Sequence, residues 1–210
     1  LFAYQRLQQG RGRAGHRFAS VGTYLTRFYE EVLPFPLTEA QKRVVREVRR
    51  DMGSGAAMNR LVQGDVGSGK TLVAFMAMLL AVDNGFQAAL MAPTEILAEQ
   101  HFRKLIGWLE PLGIQTAWLT GSQKAKERRE ALALIESGAA ALVVGTHAVI
   151  QEQVQFKNLA LAIIDEQHRF GVAQRLALRQ KLSDEQTNPS GDSRSDQPRS
   201  LAPREPHLLM

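Results

Sequence analysis

The sequence predicts an α/β fold, a mainly parallel sheet with helices on both faces. Three observations carry that prediction. From residue 37 onward, short apolar runs alternate with stretches of helical periodicity, as in sheets built from strand–helix crossovers. A Gly-x-x-x-x-Gly-Lys-Thr segment, "GDVGSGKT" at 64–71, stands between one such run and one such helix. The acidic, polar and glycine-rich clusters fall where the predicted strands end, the side of such a sheet on which ligands bind.

Taken in order, residues 1–36 read as a helical linker or edge segment. "LFAYQRLQQGRGRAGHR" begins as a helix and turns Gly- and Arg-rich, and a short amphipathic stretch after it is stopped by Pro34 and Pro36. The domain proper is expected over 37–183. Thr38, Glu39, Ala40 and Gln41 have capping-box spacing, and Val44, Val45 and Val48 follow on one helical face. A strand at 59–63 runs into the Gly-rich loop. The next helix carries Leu72, Phe75, Met76, Leu79 and Leu80 at i, i+3, i+4, i+7 and i+8, so one face is core. Strands are then expected at about 87–91, 114–119, 140–144 and 161–165. Helices are expected from about 95, over about 124–136, and in closing over about 173–181. Residues 184–206 hold four prolines and almost no apolar side chain, the composition of a disordered polar loop. Residues 207–210, "HLLM", look like the start of a further strand.

Composition narrows the function. The apolar share of 44% and charged share of 22% are those of an ordinary globular chain. No apolar run approaches the roughly 20 residues of a membrane span. Arginines and glutamines crowd the first 31 residues against a secretory signal, so an intracellular protein is expected. There is no cysteine, hence no disulfide framework or thiolate metal site, and the five histidines lack ligand spacing. The net charge of +5 suits a polyanionic partner.

Two constellations carry chemistry. In "GDVGSGKT", Gly64, Gly67, Ser68 and Gly69 form a loop whose backbone N–H groups can turn toward phosphate oxygens, with a helix N-terminus behind them. Lys70 can reach the β- and γ-phosphates, and the Thr71 hydroxyl can ligate Mg²⁺. The second constellation is "IIDEQH" at 163–168, where a buried apolar run ends in two adjacent acids. Burying unpaired carboxylates is costly, so they need a cation, a ligand or water there. Beside a phosphate cradle, Asp165 can hold the metal's water shell and Glu166 can orient the attacking water. Gln167 and His168 lie just beyond, able to sense the γ-phosphate. No guanine-specific Asn/Thr-Lys-x-Asp occurs, which favours adenine. Gln41 can contact adenine through its amide or serve the capping box with Thr38, and the two roles are compatible.

Further segments stand in a fixed order around these: "LPFPLTEAQ" (33–41), "APTEILAEQH" (92–101), "TGS" (120–122), "GTHAVI" (145–150) and "DEQHRFGV" (165–172). Together they resemble the first motor domain of superfamily 2 helicases, a RecA-like P-loop NTPase domain, and within these the bacterial RecG family. The similarity is dense over 25–183 and looser over 1–24. Transcription-repair coupling factors typically carry Asp-Glu-Glu-Gln at the acid motif and primosomal helicases Asp-Glu-Glu-His, so Gln167-His168 favours RecG. The resemblance implies that Gln41 reads adenine and that Lys70, Thr71, Asp165 and Glu166 serve ATP and Mg²⁺. It implies that Gln167 and His168 couple hydrolysis to movement. Thr94, Gly121 and Thr146, with His147 beside them, would touch the nucleic-acid backbone, where hydroxyls and free N–H groups suit phosphates without reading bases. Thr94 and Thr146 could equally be ordinary helix caps.

The function implied by this resemblance is a DNA-stimulated ATPase, the motor of a helicase that remodels replication forks and Holliday-type junctions in recombination and repair, in a bacterial cytoplasm. No oligomer signal is visible. The wedge domain and the second RecA-like domain of that family, which bears arginine fingers, have no counterpart in the sequence. It therefore reads as a truncated motor that binds ATP and hydrolyses it weakly. Three alternatives stay open: a transcription-repair coupling translocase, a non-catalytic ATP- and DNA-binding half-module, and a small-molecule P-loop kinase. The last explains neither "APTEILAEQH" nor "GTHAVI".

Overall fold

The computed structural model describes residues 2–6, 22–54, 59–64, 69–151, 153–165 and 207–209. Its strands are β1 (Phe2–Arg6), β2 (Asn59–Gly64), β3 (Gln87–Met91), β4 (Thr116–Leu119), β5 (Leu142–Gly145), β6 (Leu159–Ile164) and β7 (His207–Leu209). They form one sheet in the order β1-β2-β7-β6-β3-β5-β4. Every pairing is parallel except β1 with β2. The helices are α1 (Thr23–Arg27), extended by a π-helical turn at Phe28–Val32, then α2 (Glu39–Gly53), α3 (Lys70–Asp83), α4 (Glu95–Leu109) and α5 (Ala125–Ser137). None of the described helices is long and apolar enough to cross a membrane.

The central strands β3, β5 and β6 are buried at every position, which is why, apart from the hydrogen-bonded Gln87, they read as apolar runs. Alternate residues serve opposite faces. Ala88, Leu90, Leu142, Val144, Leu161 and Ile163 join the core under α1 to α4, whereas Ala89, Met91, Val143, Ala162 and Ile164 join the core under α5. Among the described residues strand β4 pairs with β5 alone, and it alternates between half-buried and buried residues.

Three departures from expectation have physical causes. The N-terminal segment predicted as helix forms strand β1, pairing Phe2 to Gly64 through Arg6 to Arg60. A sheet edge offers a row of unpaired N–H and C=O groups, and that pairing outweighs a weak local helix propensity. Helix α3 is buried nearly all round, with Val73, Ala77, Met78 and Ala81 joining the predicted stripe. Its outer side is covered by α1 and α2, and a helix apolar on every side belongs in that position. Phe28 and Phe75 meet edge-on at 4.9 Å between ring centroids, and Trp108 of α4 closes the group at 5.6 and 5.1 Å. Residues 22–32 therefore share the main core with α3, although the sequence suggested a separate edge. The Asp83 carboxylate, at the end of α3, fastens α1 by accepting the N–H groups of Gly22, Tyr24 and Leu25 at 2.9–3.1 Å. Thirdly, β5 begins at Leu142, two residues later than predicted. Ala140 precedes it and accepts from the buried Gln87 side chain. The closing helix expected at 173–181 and the loop at 184–206 lie outside the described residues. Residues 207–209 do form a strand, inserted between β2 and β6.

Candidate nucleotide and nucleic-acid sites

Four strands end in one register row. Leu119 pairs with Gly145, Gly145 with Met91, and Met91 with Ile164. Pairing continues one residue further: Ala92 N–H donates to Gly145 at 2.9 Å, Thr146 N–H to Leu119 at 3.2 Å and Asp165 N–H to Met91 at 2.9 Å. The segments beginning at Ala92, Thr120, Thr146 and Asp165 thus leave the sheet side by side. Gly145 makes the row possible, because a Cβ there would overlap the Leu119 carbonyl oxygen.

Gly69 is the N-cap of α3 and adopts φ +82°, the left-handed region that favours glycine. Among the described residues no side chain caps α3 and no acid occupies its first turn. Helices α2 and α4 differ, having Thr38 with Glu39 and Thr94 with Glu95. The Leu72 N–H donates to the Gly69 carbonyl at 3.1 Å, and the N–H groups ahead of it lie at the end of the helix whose dipole favours an anion. Lys70 is exposed on the first position of the helix and Thr71 is half-buried beside it. Gln41 lies against this corner. The capping box is formed: Thr38 N–H donates to Gln41 Oε1 at 3.0 Å, and Gln41 N–H donates to Thr38 Oγ1 at 3.2 Å. The other end of the Gln41 amide, Nε2, occupies the space a Cβ on Gly69 would need. Gln41 is buried. Gly64 ends β2. Gly67 and Ser68 lie outside the described residues.

Asp165 follows β6, two strands from β2 in the sheet order. The register Arg60–Leu209–Ile163 sets Asp165 level with Val62, roughly 10 Å across at about 4.8 Å per strand, and Gly64 lies two residues further along β2. Asp165 Oδ2 is 2.6 Å from His101 Nε2 on α4. His101 was absent from the sequence-predicted site, although it closes the "APTEILAEQH" segment. The partners are 64 residues apart, and no local spacing signals that contact. Glu166, Gln167 and His168 lie outside the described residues.

The predicted backbone-contacting residues gather around Glu95. Its carboxylate accepts the Ser122 N–H at 3.0 Å and the Ser122 hydroxyl at 2.7 Å. These bonds, the hydroxyl first and assisted by nearby His147, hold the Glu95 carboxyl below its ordinary range against slight desolvation. Thr94, Gly121 and His147 are all exposed. Thr94 Oγ1 also accepts the Leu97 N–H at 3.3 Å as the cap of α4. Thr146 differs: it is buried, and its hydroxyl accepts the Ala148 N–H at 3.4 Å as the cap of the short helix His147–Ile150. Glu95 and Ser122 went unnoticed in the sequence, since 27 residues separate them.

A cavity of about 550 Å³ opens beside this cluster, its lining including Glu95, Glu99, Glu127 and Lys124 with Phe102 and Trp118. Three carboxylates against the single Lys124 make this cavity unfavourable for phosphate.

Comparison with known proteins agrees with the fold. Residues 38–195 match the DEAD/DEAH box helicase family. The ATP-dependent DNA helicase RecG of Haemophilus influenzae is 58% identical over 159 residues, 76% of this chain and 23% of that protein. RecG of Bacillus subtilis is 55% identical over 160 residues, again 76% and 23%. The chain thus spans under a quarter of these relatives' length. A solved structure of RecG bound to a three-way DNA junction superposes with a TM-score of 0.70 at 38% identity, covering 93% of this chain and 23% of that one. The yeast DEAD-box splicing factor Prp28, at 18% identity and a TM-score of 0.63, covers 88% of this chain and 42% of its own, and shares the fold.

Proposed function

The chain belongs to the DEAD/DEAH box helicase family, and from that premise we propose that it is the first motor domain of a RecG-type, ATP-dependent translocase acting on branched DNA. The observation that supports this reading best is the register row. It brings Asp165, read here as the metal holder, to the same sheet edge as the exposed residues Thr94, Gly121 and His147.

In this reading Gly64, Gly67, Ser68 and Gly69 cradle the phosphates with the N–H groups of α3. Lys70 neutralises the β- and γ-phosphates, and Gln41 contacts adenine through its amide. The residues present suit Mg²⁺. Among the described residues no cluster of three or more His, Cys, Asp or Glu could hold a metal alone. Mg²⁺ needs no such cage, taking one or two carboxylates plus phosphate and water oxygens. Thr71 and Asp165 would hold it, and when bound it offsets charge on the phosphates. Glu166 would orient the attacking water, with Gln167 and His168 relaying the state of the γ-phosphate.

On the DNA side, Thr94, Gly121 and His147 would meet the sugar–phosphate backbone, contacts that position without reading sequence. Thr146 would act from beneath by holding the turn that presents His147. The setting would be fork and junction remodelling in a bacterial cytoplasm. Titrating the chain with a labelled three-way junction tests the DNA half of this reading. Binding that weakens as salt rises is expected, and no binding at low salt would contradict it.

A further inference from the structure

Main chain and side chain of Asp165 are fixed from different directions. Its N–H donates to Met91 of β3 at 2.9 Å. Its Oδ2 meets His101 Nε2 at 2.6 Å, with side-chain exposures of 33% and 17%. A carboxylate only accepts here, so Nε2 carries the proton. Ion pairs such as Lys42–Glu39, Arg103–Glu99 and Lys126–Glu130 lie within one turn of one helix on the surface, where such pairs contribute little. His101–Asp165 instead crosses from α4 to the end of β6, half out of solvent.

We propose that His101 is a positioning residue for Asp165: its Nε2–H fixes the orientation in which that carboxylate meets the Mg²⁺ accompanying the nucleotide. The inference rests on Asp165 being the metal holder. A metal held by few protein oxygens depends on each being correctly aimed, and outer partners of ligating groups typically alter metal affinity 10–100-fold. Helix α4 adds a mechanical consequence. Thr94 caps it and His101 lies seven residues on, about 10 Å along the axis. One rigid element thus carries part of the DNA-facing strip and the group that aims the metal-holding carboxylate.

The test is a Mg²⁺ titration of fluorescent ATP-analogue binding by the whole chain and by His101→Ala, His101→Gln and Asp165→Asn. His101→Ala should raise the Mg²⁺ needed for half-maximal binding about tenfold while leaving affinity in EDTA unchanged. His101→Gln, whose amide can donate to the same oxygen, should recover most of the loss and guards against a folding artefact. Equal loss with and without Mg²⁺ would mean a structural role and overturn the proposal. A shift in Asp165→Asn with none in His101→Ala would overturn it and leave the metal assignment standing. No shift in Asp165→Asn would remove the metal assignment, and the proposal with it.

Discussion

The carboxylate of Glu95 receives both polar hydrogens of Ser122, the main-chain N–H at 3.0 Å and the hydroxyl at 2.7 Å. The tie joins the first residue of α4, next to Thr94, to the turn carrying Gly121, and so links two predicted DNA-contacting positions.

Acid should undo that tie in a defined window. The folded Glu95 carboxyl is held below its ordinary value of 4.5. Its contribution is therefore complete above the unfolded value and is lost as pH falls through the lower folded one. The Ser122 amide proton, followed by NMR, should titrate with a midpoint below 4.5 and lose that step in Glu95→Gln. A midpoint at or above that value would contradict the tie.

Two glycines on adjacent turns should respond oppositely to alanine. At Gly145 a Cβ overlaps the Leu119 carbonyl, a backbone atom with little room to yield. Gly145→Ala should cost about 2 kcal/mol or more in urea unfolding. At Gly121 nothing lies within 4 Å of a Cβ, so Gly121→Ala should leave stability within about 0.5 kcal/mol. It should nonetheless weaken junction DNA binding severalfold. Unchanged DNA affinity would remove Gly121 from the interface.

The roles of Gln41 separate by mutation. Thr38→Ala breaks the capping box alone and should cost about 1 kcal/mol with the preference for ATP over GTP intact. Gln41→Ala should erase that preference as well. If both variants discriminate like the parent, Gln41 is a cap and not an adenine contact.

Buried Gln87 is a structural counterpart to these sites. Its Nε2 donates to Ile135 and Ala140 at 2.9 Å each, and its Oε1 accepts the Asn158 N–H at 2.9 Å. Gln87→Leu keeps the volume but leaves buried polar groups without this partner, at about 1–3 kcal/mol. A loss under about 0.5 kcal/mol would mean that the network adds little.

The sequence was informative where one local force decides. Strand β3 was legible because Ala88 to Met91 are apolar on both faces, and the start of α4 at Glu95 was legible too. The Thr38–Gln41 box followed from three-residue spacing. Features that escaped needed distant partners. β1 exists by pairing with β2, the all-round burial of α3 depends on α1 and α2, and His101–Asp165 and Glu95–Ser122 are joined only once the sheet aligns its strand ends. Thr146 had the residue type of a backbone contact, yet its hydroxyl is buried as a cap. Residue type alone does not tell those uses apart.

The most direct test of a DNA-coupled nucleotide motor is the affinity of this chain for a fluorescent Mg-ATP analogue, with and without a three-way junction, beside Lys70→Ala. A coupled motor predicts binding that the junction alters and that Lys70→Ala abolishes. Nucleotide binding indifferent both to junction DNA and to Lys70→Ala would contradict it.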